Sequence, residues 1–201
     1  MKKLSLIAMM ALAALSFQAC NGGAKSGATD SSAAVKDTAD SANKVKDTTT
    51  TGATGIAVTA DDAKFATGAA NAGLAEVAIG QLASEKATNA KVKDFAKMMV
   101  TDHTKANDEL MALAKTKNIS LPTEPDADHQ KKKTELAAKS GADFDKAYVD
   151  AMVDGHKKVA SMFEDASKNC KDADLKAWAA KTLPTIQHHL AEIEAIQKGM
   201  K

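Results

Sequence analysis

Arginine is absent from this chain, so all 27 of its basic residues are lysine and no guanidinium fork exists for two-pronged grip on phosphate or carboxylate. Aromatic residues are scarce, with five Phe, one Tyr and one Trp. Together with a formal net charge of +1 and no basic stripe, this argues against a nucleic-acid partner. There are two cysteines, Cys20 and Cys170. If Cys20 is consumed by processing, one thiol remains and no intramolecular disulfide can form. Only three prolines interrupt 201 residues, and no segment carries the alternation of a strand. The domain must therefore be held together by a helical core.

At the N-terminus stand Lys2 and Lys3, an apolar stretch from Leu4 to Phe17, and then Gln18, Ala19 and Cys20. This is the layout of a secretory signal. The apolar run is too short to cross a bilayer core of roughly 30 Å. The cysteine after Ala19 resembles the lipobox of bacterial lipoproteins, although Phe17 and Gln18 depart from its usual leucine and small residue. The resemblance implies that residues 1–19 are removed and that Cys20 carries the lipid. The protein is then exported and anchored to the membrane of the cell envelope, facing the periplasm. Simple secretion is the alternative.

Residues 20–60 follow as a stretch of Ala, Ser, Thr, Gly, Asp and Lys, too poor in apolar surface to offset the entropy of ordering. As a flexible coil it would hold the rest about 35 Å from the lipid. From residue 61 to the end, apolar residues recur three and four apart, the spacing of one helical face. Four long helices are predicted, over Asp62–Lys86, Ala90–Lys117, Asp143–Lys168 and Asp172–Lys198. A connection from Ile119 to Ser140 carries Pro122, Pro125 and a short helix over Asp126–Lys139. Pro184 is expected to kink the last long helix. Two helical pairs with one longer crossing predict an all-α, up-down four-helix bundle with an extra short helix between helices two and three.

Each long helix places one polar residue where its phase demands an apolar one: Glu76, His103, His156 and His189. Measured from the Thr88-Asn89 turn at 1.5 Å per residue, Glu76 and His103 fall within roughly 3 Å of one level. His156 and His189 are mismatched by about 7 Å measured from Cys170. Asp102 adjoins His103 but diverges from it by about 100° around the helix, and is expected not to share its site. One carboxylate and three imidazoles suit a transition metal such as zinc, copper or iron better than magnesium or calcium. Met99 and Met152 each precede an inward histidine by one turn and would favour copper if their sulfurs took part. The alternatives are a buried hydrogen-bond network and ordinary core methionines. No activated nucleophile and no Gly-rich phosphate loop is evident, which weighs against an enzyme.

Several of these residues also carry a family resemblance. The stretch Phe65–Gln81 around Glu76, the run Val92-Lys93-Asp94-Phe95-Ala96-Lys97-Met98-Met99-Val100-Thr101-Asp102-His103, Phe144-Asp145 with Tyr148 and His156, and Leu183-Pro184-Thr185-Ile186-Gln187-His188-His189 resemble the bacterial domain of unknown function 4142. The resemblance implies a ferritin-like bundle, frequent export, and motif status for Glu76, His103, His156 and His189. It does not imply ferroxidase chemistry. A di-iron site needs glutamate three residues before histidine, and those positions are Val100, Val153 and Ile186. Two readings of function stand: a membrane-tethered bundle holding a transition metal, and a non-enzymatic envelope or stress-related interaction module with a polar core.

Overall fold

The computed structural model describes residues 58–200. The predicted signal peptide, Cys20 and most of the predicted tether lie outside that span. The described residues form five helices: α1 Ala60–Lys86, α2 Ala90–Thr116, α3 Ala127–Ala137, α4 Gly141–Asn169 and α5 Ala173–Gly199. The four long helices match the predicted ones to within two residues at every end, and no strand occurs among the described residues.

Helix ends are set by local chemistry. Thr59, Asn89, Asp126 and Asp172 are N-caps whose side-chain oxygens accept backbone N–H groups of α1, α2, α3 and α5. Helix α2 ends on Asn118, whose φ of 53° lies in the left-handed region that asparagine tolerates. There the Ile119 amide donates to Ala114 O at 2.9 Å and the Asn118 amide to Lys115 O at 3.4 Å, the paired bonds of a Schellman stop. Helix α5 continues through Pro184, whose side chain is exposed.

Contacts between elements place α1 beside α2 and α4, and α5 beside α2 and α4, while α3 packs on α1 and α4. The direction of each helix follows from polar bonds at the ends. Lys117, just past α2, donates to Asp172 at 2.7 Å at the start of α5. Asp145, near the start of α4, accepts from the Thr88 and Asn89 amides just past α1. Residues 117–140 therefore run the length of the bundle, and the order is up, down, down, up. One long crossover of this kind is the ferritin-like connection.

The two hairpins, α1–α2 and α4–α5, repeat each other at a constant offset of 83 residues, from 62 to 145 and from 89 to 172. Their turns share one conformation: Ala87 has φ −60° and ψ 140°, and Cys170 has φ −52° and ψ 135°. Each turn is capped by a buried aspartate of the other hairpin. Asp62 accepts the Lys171 and Asp172 amides, both at 3.0 Å. Asp145 accepts the Thr88 amide at 3.0 Å, the Asn89 amide at 2.8 Å and the Thr88 hydroxyl. Burial pushes the Asp62 carboxyl upward, but the amides of Lys171 and Asp172 outweigh it and hold the group below its usual range.

The core divides into two apolar clusters. One gathers Phe95, Met99, Phe144, Tyr148, Met152 and Ile193. The other gathers Phe65, Leu110, Phe163, Trp178 and Ile186. Phe65, Phe163 and Trp178 pack ring on ring, with centroids 5.3 to 6.1 Å apart. At Gly73 on α1 the Asn107 side chain of α2 fills the space that a Cβ would occupy.

Replacing Asp62 or Asp145 by alanine strips partners from two backbone amides at the opposite turn, buried or part-buried. Each change is expected to cost about 2–3 kcal/mol and lower the melting temperature by about 5–10 °C, with asparagine recovering part of the loss. Thermal unfolding followed by circular dichroism checks this.

Candidate metal centre

Glu76, His103, His156 and His189 meet in the middle of the bundle, one from each long helix, and none is more than 6 % exposed. The ring centroids of the three histidines are 5.2 to 5.8 Å apart. One ring nitrogen of each lies within 4.8 Å of those of the other two. The expected height mismatch between His156 and His189 does not arise. Helical Cβ atoms lean toward the N-terminus, so His156 leans away from the α4–α5 turn while His189 leans toward it, and the two side chains close the gap.

Two of the three imidazoles are held by hydrogen bonds on their outer side. His156 Nδ1–H donates to the Met152 carbonyl at 2.8 Å. His189 Nε2–H donates to Asp102 Oδ2 at 2.9 Å. His103 Nδ1 lies 3.0 Å from Glu76 Oε2, without the alignment of a full hydrogen bond, and His156 Nδ1 lies 3.6 Å from Glu76 Oε1. The inner nitrogens, His103 Nε2, His156 Nε2 and His189 Nδ1, are buried with no partner. Bonds from Met152 and Asp102 fix which nitrogen of His156 and His189 carries hydrogen, leaving a lone pair on the other.

The converging group is thus the three histidines, with Glu76 facing the Nδ1 side of His103 and His156. Asp102 corrects the expectation drawn from helix phase. The 100° divergence does keep it from His103, yet it reaches His189 across the α2–α5 seam, with 38 % of its side chain exposed. Met99 and Met152 side chains pack in the apolar cluster with Phe95 and Tyr148, and Met152 meets the site through its backbone carbonyl. Tyr148, a motif residue with no role expected of it, has a buried hydroxyl without a partner, and the ring N–H of Trp178, which the sequence did not single out, is likewise unpartnered. Cys170 is buried, and burial with neighbouring Asp62 pushes its thiol up to about 12. His129 is half-buried and pairs with Asp126 at 2.7 Å; His188 is exposed beside Glu192.

Burial shapes the protonation of the cluster. It pushes Glu76 up to about 8. It lowers His103, an effect reinforced by His189 and His156. His156 falls to about 4, with burial opposed by the Met152 bond. His189 is lowered by burial against the opposing bond to Asp102. Neutral imidazoles with an inward lone pair are the form in which histidine binds a metal.

An all-α bundle of ferritin-like connection enclosing a buried three-histidine cluster is the class that these features define. The family model described as domain of unknown function (DUF4142) matches residues 47–196, and the chain belongs to that family. In structure it is similar to a DUF305 fragment from Deinococcus radiodurans, with TM-score 0.62 and 9 % identity, covering 70 % of this chain and 97 % of that one. At that identity the likeness concerns the fold. No curated protein matches the chain.

Without metal, stability should peak near pH 6.5. Below it, the unfolded chain protonates histidines that the fold keeps neutral, so stability falls from about pH 6.5 toward 4. Above it, the fold still holds a proton on Glu76 that the unfolded chain has released, so stability falls again toward pH 8. Glu76→Gln is expected to flatten the alkaline limb and steepen the acid limb, which Glu76 opposes from about pH 4.5 upward, as measured by melting temperature across pH in a chelator.

Proposed function

We propose that this protein holds one transition-metal ion on His103, His156 and His189. The observation that carries the reading is the set of three inward ring nitrogens, buried and without partners, within reach of a common point. A buried network would satisfy those nitrogens, whereas each unpaired one costs about 1–3 kcal/mol. Zinc–nitrogen bonds of about 2.0–2.1 Å in a tetrahedral set put nitrogens about 3.3 Å apart, so modest inward rotation completes the triad. Imidazole without thiolate or hard oxygen suits zinc, copper, nickel or iron. Asp102 and the Met152 carbonyl act behind the ligands, orienting His189 and His156 and setting their tautomers, while Glu76 lies behind His103. When bound, the ion supplies a Lewis-acidic centre with room for a fourth donor.

The function is retention of the ion rather than turnover of an organic substrate. The cavity beside His103 and Glu76 has a volume of about 20 Å³, enough for a water and little else. Zinc is expected to bind at one per chain and to raise the melting temperature, adding about 2.7 kcal/mol at a hundredfold excess over Kd. His156→Ala should abolish that shift, and Asp102→Asn or Glu76→Gln should weaken affinity by about 10–100-fold. Calorimetry and metal analysis of the purified protein test it, with copper and iron in parallel. No bound metal and no shift with any ion would leave the polar-core interaction module as the better reading.

We further propose that the bundle works at the membrane surface of the bacterial envelope, tethered through a lipid on Cys20. Support comes from Lys2, Lys3, the apolar run Leu4–Phe17 and the cysteine that follows Ala19. None of the helices among the described residues is long and apolar enough to cross a membrane, so anchoring would fall to the lipid. Cys20→Ser is expected to move the protein from the membrane fraction to the soluble one and to abolish labelling by a fatty-acid analogue. Unchanged fractionation and labelling would refute the anchor.

A further inference from the structure

We infer that the ion enters the histidine cluster through the seam between α2 and α5, past a wall formed by Ala106 and Thr182, with Asp102 as the group that receives it. The inference rests on the metal reading above and specifies how the site is loaded. Two spaces meet at this wall. Outside is a groove of about 110 Å³ lined by Asp102, Lys105, Glu109, Lys181 and Thr185, with Ala106 and Thr182 at its back. Inside is the cavity of about 20 Å³ that touches Glu76 and His103, and Ala106 and Thr182 line it as well. A methyl group and one threonine side chain are thus shared by a surface opening and the interior space beside the cluster.

The partners of the outer nitrogens point the same way. Glu76 and Met152 are buried, while Asp102 is part-exposed and bonded directly to His189. It is the partner through which the cluster faces water. A hydrated dication in the groove meets a carboxylate first, exchanges part of its water shell for that oxygen, and moves inward to imidazole nitrogens, which bind it more strongly. No bond other than coordination forms or breaks.

The groove is also guarded. Lys181 on α5 donates to both carboxylate oxygens of Glu109 on α2 at 2.9 Å, a strap across the opening that adds positive charge close to Asp102. Lys105 adds a second. These charges oppose the approach of a cation and are screened by salt.

Ala106 binds no ligand and Lys181 is 66 % exposed, so both can be changed outside the binding set. In stopped-flow uptake and chelator-release of zinc by the full chain, Ala106→Leu is expected to slow both entry and exit by about tenfold or more with unchanged stoichiometry and Kd. Lys181→Met is expected to speed entry several-fold at low salt and less at high salt. It stands alone should Ala106→Leu fail to fold. Normal zinc binding with wild-type rates in the folded variants overturns the entrance alone. Failure of the wild-type chain to take up zinc overturns the metal centre together with its entrance.

Discussion

Two buried carboxylates hold this bundle in register. Asp62 starts one hairpin and caps the turn of the other, and Asp145 does the same in reverse. Each bond therefore fixes the height of one hairpin against its partner and also satisfies amides that the turn leaves exposed to the core. A slip of one helical turn would be about 5.4 Å, the distance that now separates adjacent histidine rings. The polar centre exists as a cluster because the ends do not slide.

Within that frame the three imidazoles face three unlike groups: a main-chain carbonyl and a part-exposed carboxylate that accept hydrogen bonds from His156 and His189, and a buried carboxyl 3.0 Å from His103. The two hydrogen bonds use the outward nitrogens of His156 and His189 and fix those ring planes, while one nitrogen on each of the three rings remains unsatisfied. Phe95 closes one side, its ring centroid 6.3 to 6.4 Å from those of His189 and His156. Low polarity around the cluster keeps the imidazoles neutral and raises Glu76, so the centre carries little charge until a cation or a proton arrives.

Much of this was legible in the sequence. Apolar spacing locates the long helices, and heights counted from the first turn bring Glu76 and His103 together. Counting residues failed for His156 and His189 because rise along an axis ignores the lean of side chains, which here acts in opposite senses on the two helices. Phase failed for Asp102 because it assigns a residue to its own helix's stripe and cannot show that a histidine of α5 reaches the rim of α2. Asp62 and Asp145 look like ordinary acidic residues near helix starts. Their burial depends on turns 109 and 57 residues away in sequence, which no local pattern encodes.

The repeat of the two hairpins extends through the turns and caps but stops at the middle layer. Gly73 and Ala106 stand where the offset of 83 residues would put counterparts of His156 and His189, and Val159 and Ile186 stand opposite Glu76 and His103. The four polar positions are matched by small and aliphatic residues, and these border the water-sized space beside Glu76 and His103. Shape and chemistry are thus carried by separate sets of residues. The same scaffold would accept two centres, one or none without a change in its turns, and this chain is the lopsided solution.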